Sequence, residues 1–221
     1  MKLTIIYDNE NYLENLENGW GFSCVIESKK ERILFDTGWK GNILAENMKK
    51  LNLGFGIEDI GIVILSHQHW DHIGGLPYIM NKCRKLKIFI LKSFSEHMKE
   101  DIKKQHRVIE ISKAQKITES IYTTGEIGDW IKEQSIMIET KNGLLVITGC
   151  AHPGLDNILE NASRFGNIYG VLGGFHDFRN LDVLENLDLI VPCHCTRYKK
   201  EIKSRFPDKT ITGGVGLSLR L

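Results

Sequence analysis

"ILSHQHWDHIGG", residues 64–75, sets three histidines and an aspartate between positions 67 and 72, directly after an apolar run. Placing that cluster beside a core is costly unless something positive holds the imidazoles and the carboxylate together. The run itself, "IVILSH", reads as a strand buried on both faces. In an extended segment alternate side chains share a face, so His67 and His69 point into one site. Asp71 continues that alternation while adjacent His72 projects differently, so one segment can serve two neighbouring ions.

The pattern recurs along the chain. Polar residues gather at the ends of apolar strands in "LSHQHWDH", "ITGCAH", "LGGFH" and "VPCHC", and strand carboxyl ends are where α/β folds build sites. His67, His69, His72, His152, His176 and His194 lie in these places, whereas His97 and His106, in and just beyond a Lys/Glu-rich helical stretch, read as solvated surface residues. One histidine after a strand is ordinarily a hydrogen-bonded structural residue. Six, spread over four strand ends, point to metal binding. Imidazole and carboxylate suit zinc, iron or manganese, and ligand type alone does not choose among them. Cys193 and Cys195 flank His194, so alternation directs them away from it; with Cys150 they read as small apolar residues rather than thiolate ligands.

The 221 residues, 42% hydrophobic and 26% charged, suit one soluble domain spanning 1–221. A formal charge of +1 gives no electrostatic reason to expect nucleic acid or membrane as partner. No apolar run approaches the roughly 20 residues needed to span a bilayer, and "MKLTIIYDNE" reads as a first strand rather than a secretory segment. An odd number of scattered cysteines favours free thiols and a cytoplasmic location. "LTIIY", "FSCVIES", "RILFDTG", "IVILSH" and "KIFIL" are predicted strands. "GNILAENMKKLNLG" is a predicted helix stopped by Gly54, and "SFSEHMKEDIKKQ" another with Ser95 as N-cap. "RVIEIS", "KITESIYTTG", "SIMIET" and "GLLVITG" make the middle β-rich, with "KNG" a hairpin turn; β/α alternation follows, then a closing strand "VGLSLRL". The order implies an α/β (α+β) protein with two mixed sheets face to face, covered by helices.

H-x-H-x-D-H after an apolar strand, followed by "IGGL", resembles the signature of the metallo-β-lactamase superfamily. The resemblance implies an αββα four-layer sandwich, two mixed β-sheets flanked by helices, with one or two divalent ions between the sheets, zinc first and iron or manganese as alternatives. It also implies roles. Asp36 in "ILFDTG" would buttress the histidine loop from behind the ligands. His152 in "TGCAHPGLDNIL" would complete the first metal's set with His67 and His69; Asp71, His72 and His194 in "VPCHCT" would serve the second. "WGFSCVIE", "TGCAHPGLDNIL", "LGGFH" and "PCHCT" together resemble the branch named after 7,8-dihydropterin-6-methyl-4-(β-D-ribofuranosyl)aminobenzene-5′-phosphate synthase, which joins a dihydropterin-methyl diphosphate to an aryl amine. One departure stands out. Where the superfamily places an aspartate bridging the metals, this chain has "VLGGFHDF"; His176 and Asp177 are the candidate replacements, and the branch pattern points to His176.

A metal with open positions lowers the pKa of water and polarises carbonyl or phosphoryl oxygens. The resemblance therefore leaves two enzymatic readings open: transfer of a dihydropterin-methyl group with release of diphosphate, or hydrolysis of an ester, lactone or phosphodiester. In the hydrolytic reading Asp71, beyond holding metal, would orient the water and accept its proton. A non-catalytic metal-binding protein is the reading of another class. Nuclease action is disfavoured by the near-neutral charge, and O₂ or NO reduction by the missing aspartate and flavin domain. The expected partner is a small molecule, phosphorylated or not; oligomeric state is unreadable. Trp20 and Trp70 either line a pocket for a planar ring or anchor loops, and Arg197, near His194, could meet a phosphate. The remaining basic stretches, Lys92 to Arg107 and Lys199 to Arg205, read as solvated helix faces.

Overall fold

Apolar runs alternating with glycine- and charge-rich connections produce thirteen strands and six helices in a computed structural model that describes residues 1–221. The first strands are β1 (Lys2–Tyr7), β2 (Ser23–Glu27), β3 (Arg32–Phe35), β4 (Ile62–Ile64), β5 (Lys87–Leu91) and β6 (Arg107–Ile111). Then come β7 (Lys113–Thr118), β8 (Ile121–Gly125), β9 (Ile136–Thr140), β10 (Gly143–Thr148), β11 (Ile168–Gly174), β12 (Leu189–Cys193) and β13 (Ser218–Arg220). The helices are α1 (Gly41–Lys50), α2 (Trp70–Ile73), α3 (Leu76–Lys82), α4 (Glu96–Lys103), α5 (Leu155–Ser163) and α6 (Lys199–Arg205). None is long and apolar enough to cross a membrane. The chain divides into two compact units, Met1–Ile111 with Gly214–Leu221, and Ser112–Gly213.

The first unit holds a seven-stranded mixed sheet, β13-β1-β2-β3-β4-β5-β6. Pairing is antiparallel from β13 to β3 and parallel from β3 to β6. Its inner strands are continuous apolar runs, as parallel strands covered on both faces must be; Ile33 to Phe35 and Ile62 to Leu65 are all buried. On α1, Ile43, Leu44, Asn47 and Met48 form the buried face. The helix ends before the expected stop at Gly54. Asn52, one residue past the cap, already takes the left-handed conformation (φ 48°) that terminates it.

Two expectations about the basic stretch are corrected here. His106 is buried, its Nδ1 accepting a hydrogen bond from the Leu86 N–H at 3.2 Å, whereas His97 is exposed as expected. Lys99 is fully covered, and its ammonium donates to the Lys92 carbonyl (2.5 Å), Glu96 (2.7 Å) and Glu110 (3.1 Å). Ser95 does precede α4, but its side chain makes no capping bond.

The second unit holds a six-stranded mixed sheet, β12-β11-β10-β9-β8-β7, parallel from β12 to β10 and antiparallel beyond. "KITESIYTTG" is not one strand: the chain reverses at Glu119–Ser120, pairing Thr118 with Ile121. The "KNG" hairpin is present, with Thr140 opposite Gly143. Leu155, Ile158, Leu159 and Ala162 of α5 recur at helical spacing and enter a core with Val146, Val171 and Ile190. Burying each leucine, isoleucine or valine among them contributes about 1.5–3 kcal/mol.

Candidate metal centre

In the first unit β3 and β4 run parallel, so their carboxyl ends lie side by side and bring Asp36 against Ser66–His72. Asp36, fully buried, takes a left-handed conformation (φ 54°) that turns its carboxylate back toward β4. Its Oδ1 accepts the Ser66 N–H (2.7 Å); its Oδ2 accepts the Ser66 hydroxyl (2.6 Å) and Nδ1 of His72 (2.6 Å). Ser66 Oγ lies 2.9 Å from Nδ1 of His67. Because the serine proton is committed to Asp36, His67 must be the donor in that last contact. One carboxylate thus holds the Nδ1 proton of His72 directly and of His67 through Ser66, so Nε2 carries the lone pair in both rings.

The loop closes tightly. The His67 ring centroid is 4.6 Å from that of His69 and 4.2 Å from that of His72, and Asp71 Oδ2 is 3.9 Å from His72 Nε2. Strict alternation stops at His69, which is extended (φ −71°, ψ 142°); the helical turn of α2 then places Asp71 and His72. The Thr37 N–H and hydroxyl both donate to the His72 carbonyl, at 2.7 and 2.8 Å. This approach needs glycine behind the histidines: a Cβ on Gly75 would sit 2.3 Å from the Thr37 carbonyl oxygen.

The second unit builds its cluster at the ends of β10, β11 and β12. Ala151, His176 and His194, one after each strand, all have positive φ (57°, 50° and 43°), uncommon outside glycine. Glu133, 1% exposed, receives four backbone N–H groups: Gly149, Cys150 and Ala151 on Oε1 at 2.8–3.1 Å, and His152 on Oε2 at 3.0 Å. That clamp fixes the loop carrying His152. Sequence reading missed it because "KEQS" has the composition of a surface turn. The Gly174 N–H reaches the Gly149 carbonyl (3.1 Å), the Phe175 N–H reaches Thr196 Oγ1 (2.9 Å), and the Arg197 N–H reaches the His176 carbonyl (2.8 Å).

The glycines that replace the expected aspartate have a packing reason. A Cβ on Gly173 would lie 2.1 Å from the Thr148 carbonyl oxygen, and one on Gly174 would lie 2.4 Å from that of Gly149 and 2.7 Å from Cys195 Sγ. No carboxylate can stand at either position. The His176 ring is instead 4.9 Å from the His152 ring; its side chain is 49% exposed and its Nδ1 is 3.3 Å from Asp177 Oδ1. That hydrogen bond holds the Asp177 carboxyl below its usual range.

In the first unit His67 and His72, and in the second Cys150, His152 and His194, belong to side-chain groupings that could hold a metal ion. His69, Asp71 and His176 are outside those groupings, and Cys150, set aside on sequence, is inside them. Trp70 is exposed and lines an apolar cleft of about 430 Å³ with Ile73, Leu76, Met80 and Met98. Trp20 is exposed too, and the Arg197 guanidinium lies 5.8 Å from the Tyr198 ring centre.

The metallo-β-lactamase superfamily profile matches residues 21–161. An uncharacterised protein of Methanocaldococcus jannaschii is 29% identical, aligning 97% of this chain with 98% of its own. The 7,8-dihydropterin-6-methyl-4-(β-D-ribofuranosyl)-aminobenzene-5′-phosphate synthase of the same organism is 29% identical over 84% of this chain and 83% of that one. A solved structure described as a metal-dependent hydrolase of the β-lactamase superfamily superposes with a TM-score of 0.82 at 26% identity, covering 100% of this chain and 99% of the other. The chain has the metallo-β-lactamase fold and belongs to the metallo-β-lactamase superfamily, whose members are mostly metal-dependent hydrolases.

Proposed function

We propose that this protein is a metal-dependent enzyme that transfers a dihydropterin-methyl group to an amine with release of diphosphate. The observation that carries the metal part is the commitment of both Nδ1 protons, of His67 and His72, to Asp36 and Ser66. Imidazoles held in that tautomer fit a divalent transition ion, because Nε2 is then the donor atom. His67, His69, Asp71, His72, His152 and His194 are the proposed ligands, with His176 in the place of the bridging aspartate. Zinc suits the set, as do iron and manganese.

A divalent ion held by these residues would supply Lewis acidity toward phosphoryl oxygens. The chain's own residues do the rest. In the transfer, the bond between the methyl carbon and the diphosphate oxygen breaks and a carbon–nitrogen bond forms. The amine sheds one proton, and Asp71 is the carboxylate assigned to accept it. Asp36 keeps the ring nitrogens oriented throughout. The likeness to the M. jannaschii synthase over most of both chains supports this choice of reaction.

A second reading, hydrolysis of an ester, lactone or phosphodiester, is favoured by the likeness to the solved metal-dependent hydrolase. There Asp71 takes the proton of the attacking water. Protein of known metal content, assayed for diphosphate release from a dihydropterin-methyl diphosphate with and without an aryl amine, separates the two. Release that requires the amine supports transfer. Release without it, or turnover of simple esters alone, replaces transfer with hydrolysis. Metal without turnover on any of these leaves the non-catalytic metal-binding protein.

A further inference from the structure

Between β8 and β9 the segment "EIGDWIKE", residues 126–133, forms a short reversed loop. Its base is closed by Ile127 and Glu133, which exchange two backbone hydrogen bonds of 3.0 Å. Gly128 (φ 98°) makes the turn, and the Lys132 ammonium donates to its carbonyl. At the tip Trp130 is 100% exposed and makes no ring or hydrogen-bond contact. A single exposed tryptophan says little by itself. This one stands on a wall of a cleft of about 470 Å³ that His152, Asn157 and Asn161 also line. Glu133, at the base of the loop, holds the His152 segment by its N–H groups, so one loop positions both the tryptophan and the histidine.

The polar groups of the cleft include a carboxylate and two amides. Asp129 lines it and has no ion-pair or hydrogen-bond partner. Asn157 and Asn161, one turn apart on α5, each spend one of their two Nδ2 hydrogens, on the Pro153 carbonyl (2.7 Å) and the Asn157 carbonyl (2.8 Å). Their Oδ1 atoms remain as acceptors. No lysine or arginine lines the cleft, so it offers a phosphate no ammonium or guanidinium partner. An indole face beside a carboxylate and two amide oxygens suits a planar ring with an N–H donor edge. The volume is in the range of small-molecule pockets and takes a fused bicyclic ring.

We propose that this cleft binds the heteroaromatic ring of the substrate, with Trp130 stacked on its face and Asp129 receiving the paired N–H donors of a 2-amino-4-oxopyrimidine edge. The assignment rests on the reading under Proposed function and names positioning residues for it. Pterins and guanine nucleotides share that edge, so both are probes. Binding of 6-hydroxymethylpterin and of guanosine 5′-monophosphate is measured calorimetrically on wild type, Trp130→Phe, Trp130→Ala and Asp129→Asn, with metal content determined on the same samples. Trp130→Ala is expected to weaken pterin binding about tenfold, Trp130→Phe by no more than about threefold, and Asp129→Asn about tenfold. Trp130 and Asp129 lie at an exposed tip, so the fold is expected to survive each change. Saturable binding of guanosine 5′-monophosphate alone, with the same dependence on both residues, supports the edge recognition and assigns the cleft to a guanine nucleotide. Equal affinities in all four proteins, or no saturable binding of either probe, overturn the assignment. Absence of metal in the wild type would instead overturn the metal reading, which the binding data do not test.

Discussion

Oδ2 of Asp36 lies 2.6 Å from Nδ1 of His72, with both side chains fully buried. The same oxygen takes the Ser66 hydroxyl and its neighbour takes the Ser66 N–H, so three donors converge on one carboxylate. Asp36→Asn preserves shape, and asparagine tolerates the left-handed backbone. Its single oxygen cannot take all three donors, and an amide NH₂ must then face an N–H or O–H. The expected cost is about 1–3 kcal/mol of stability and a loss of about 10–100-fold in metal affinity, read by chelator competition. Metal affinity equal to wild type would remove the orienting role of Asp36.

Ser66→Ala separates the two histidines. It deletes the link to His67 but leaves the His72 contact with Asp36 in place. The expected loss of metal affinity is therefore smaller than for Asp36→Asn, and it vanishes on the His67→Ala background. Additive losses in that double-mutant cycle would show that Ser66 acts elsewhere.

Glu133→Gln tests the clamp on the His152 loop. A glutamine oxygen can keep the three N–H groups now on Oε1, but its NH₂ then opposes the His152 N–H, which Oε2 now accepts. One buried donor left facing another costs about 1–3 kcal/mol, a fall in Tm on the order of 5 °C for a chain of this size. An unchanged Tm would mean the loop is held by its other contacts, such as the Gly174 N–H to Gly149 bond.

The difference between Asp36 and Glu133 shows what the sequence reveals. β4, β10, β11 and β12 were legible because their apolar runs stop abruptly at histidine, glycine or cysteine, and Asp36 shares that kind of strand end. Glu133 stands among polar residues, and only the reversal of the loop before β9 buries it. His106 was misread for the same reason: lysines surround it in sequence, but the start of β6 turns it inward against Leu86. The reversal at Glu119–Ser120 carries no glycine, proline or asparagine to announce it. Nor did alternation foresee the helical turn at Trp70, because nothing in the local pattern marks His69 as its cap.

Gly174→Asp would restore the type of residue the superfamily places there, and it is expected to fail. Its Cβ would fall 2.4 Å from a backbone carbonyl, and backbone cannot give way as a flexible side chain can. The expected outcome is a marked loss of soluble, folded protein rather than tighter metal binding, read by thermal melting and metal stoichiometry. A stable variant with increased metal content would show that the end of β11 can move, and would reopen the place given to His176.

The buried ammonium of Lys99 gives stability a pH signature. Burial lowers its pKa, but the hydrogen bonds to Glu96 and Glu110 outweigh that and leave it above its ordinary 10.5. The Lys99 hydrogen bond in turn holds the Glu110 carboxyl below its ordinary 4.5. A depressed carboxyl contributes stability that is complete above its unfolded pKa and is lost as pH falls through the folded one. A raised lysine contributes below its unfolded pKa and loses that contribution as pH rises through the folded one. The cluster therefore stabilises fully between 4.5 and 10.5. Glu110 is 37% exposed, so screening keeps its share to about 1 kcal/mol or less. Glu110→Gln is expected to be less stable than wild type by that amount at neutral pH in urea titrations. The gap should narrow as pH drops below 4.5, where the wild-type carboxyl also becomes neutral, and shrink with added salt. A gap that stays constant down to about pH 3 would assign the effect to lost packing rather than to charge.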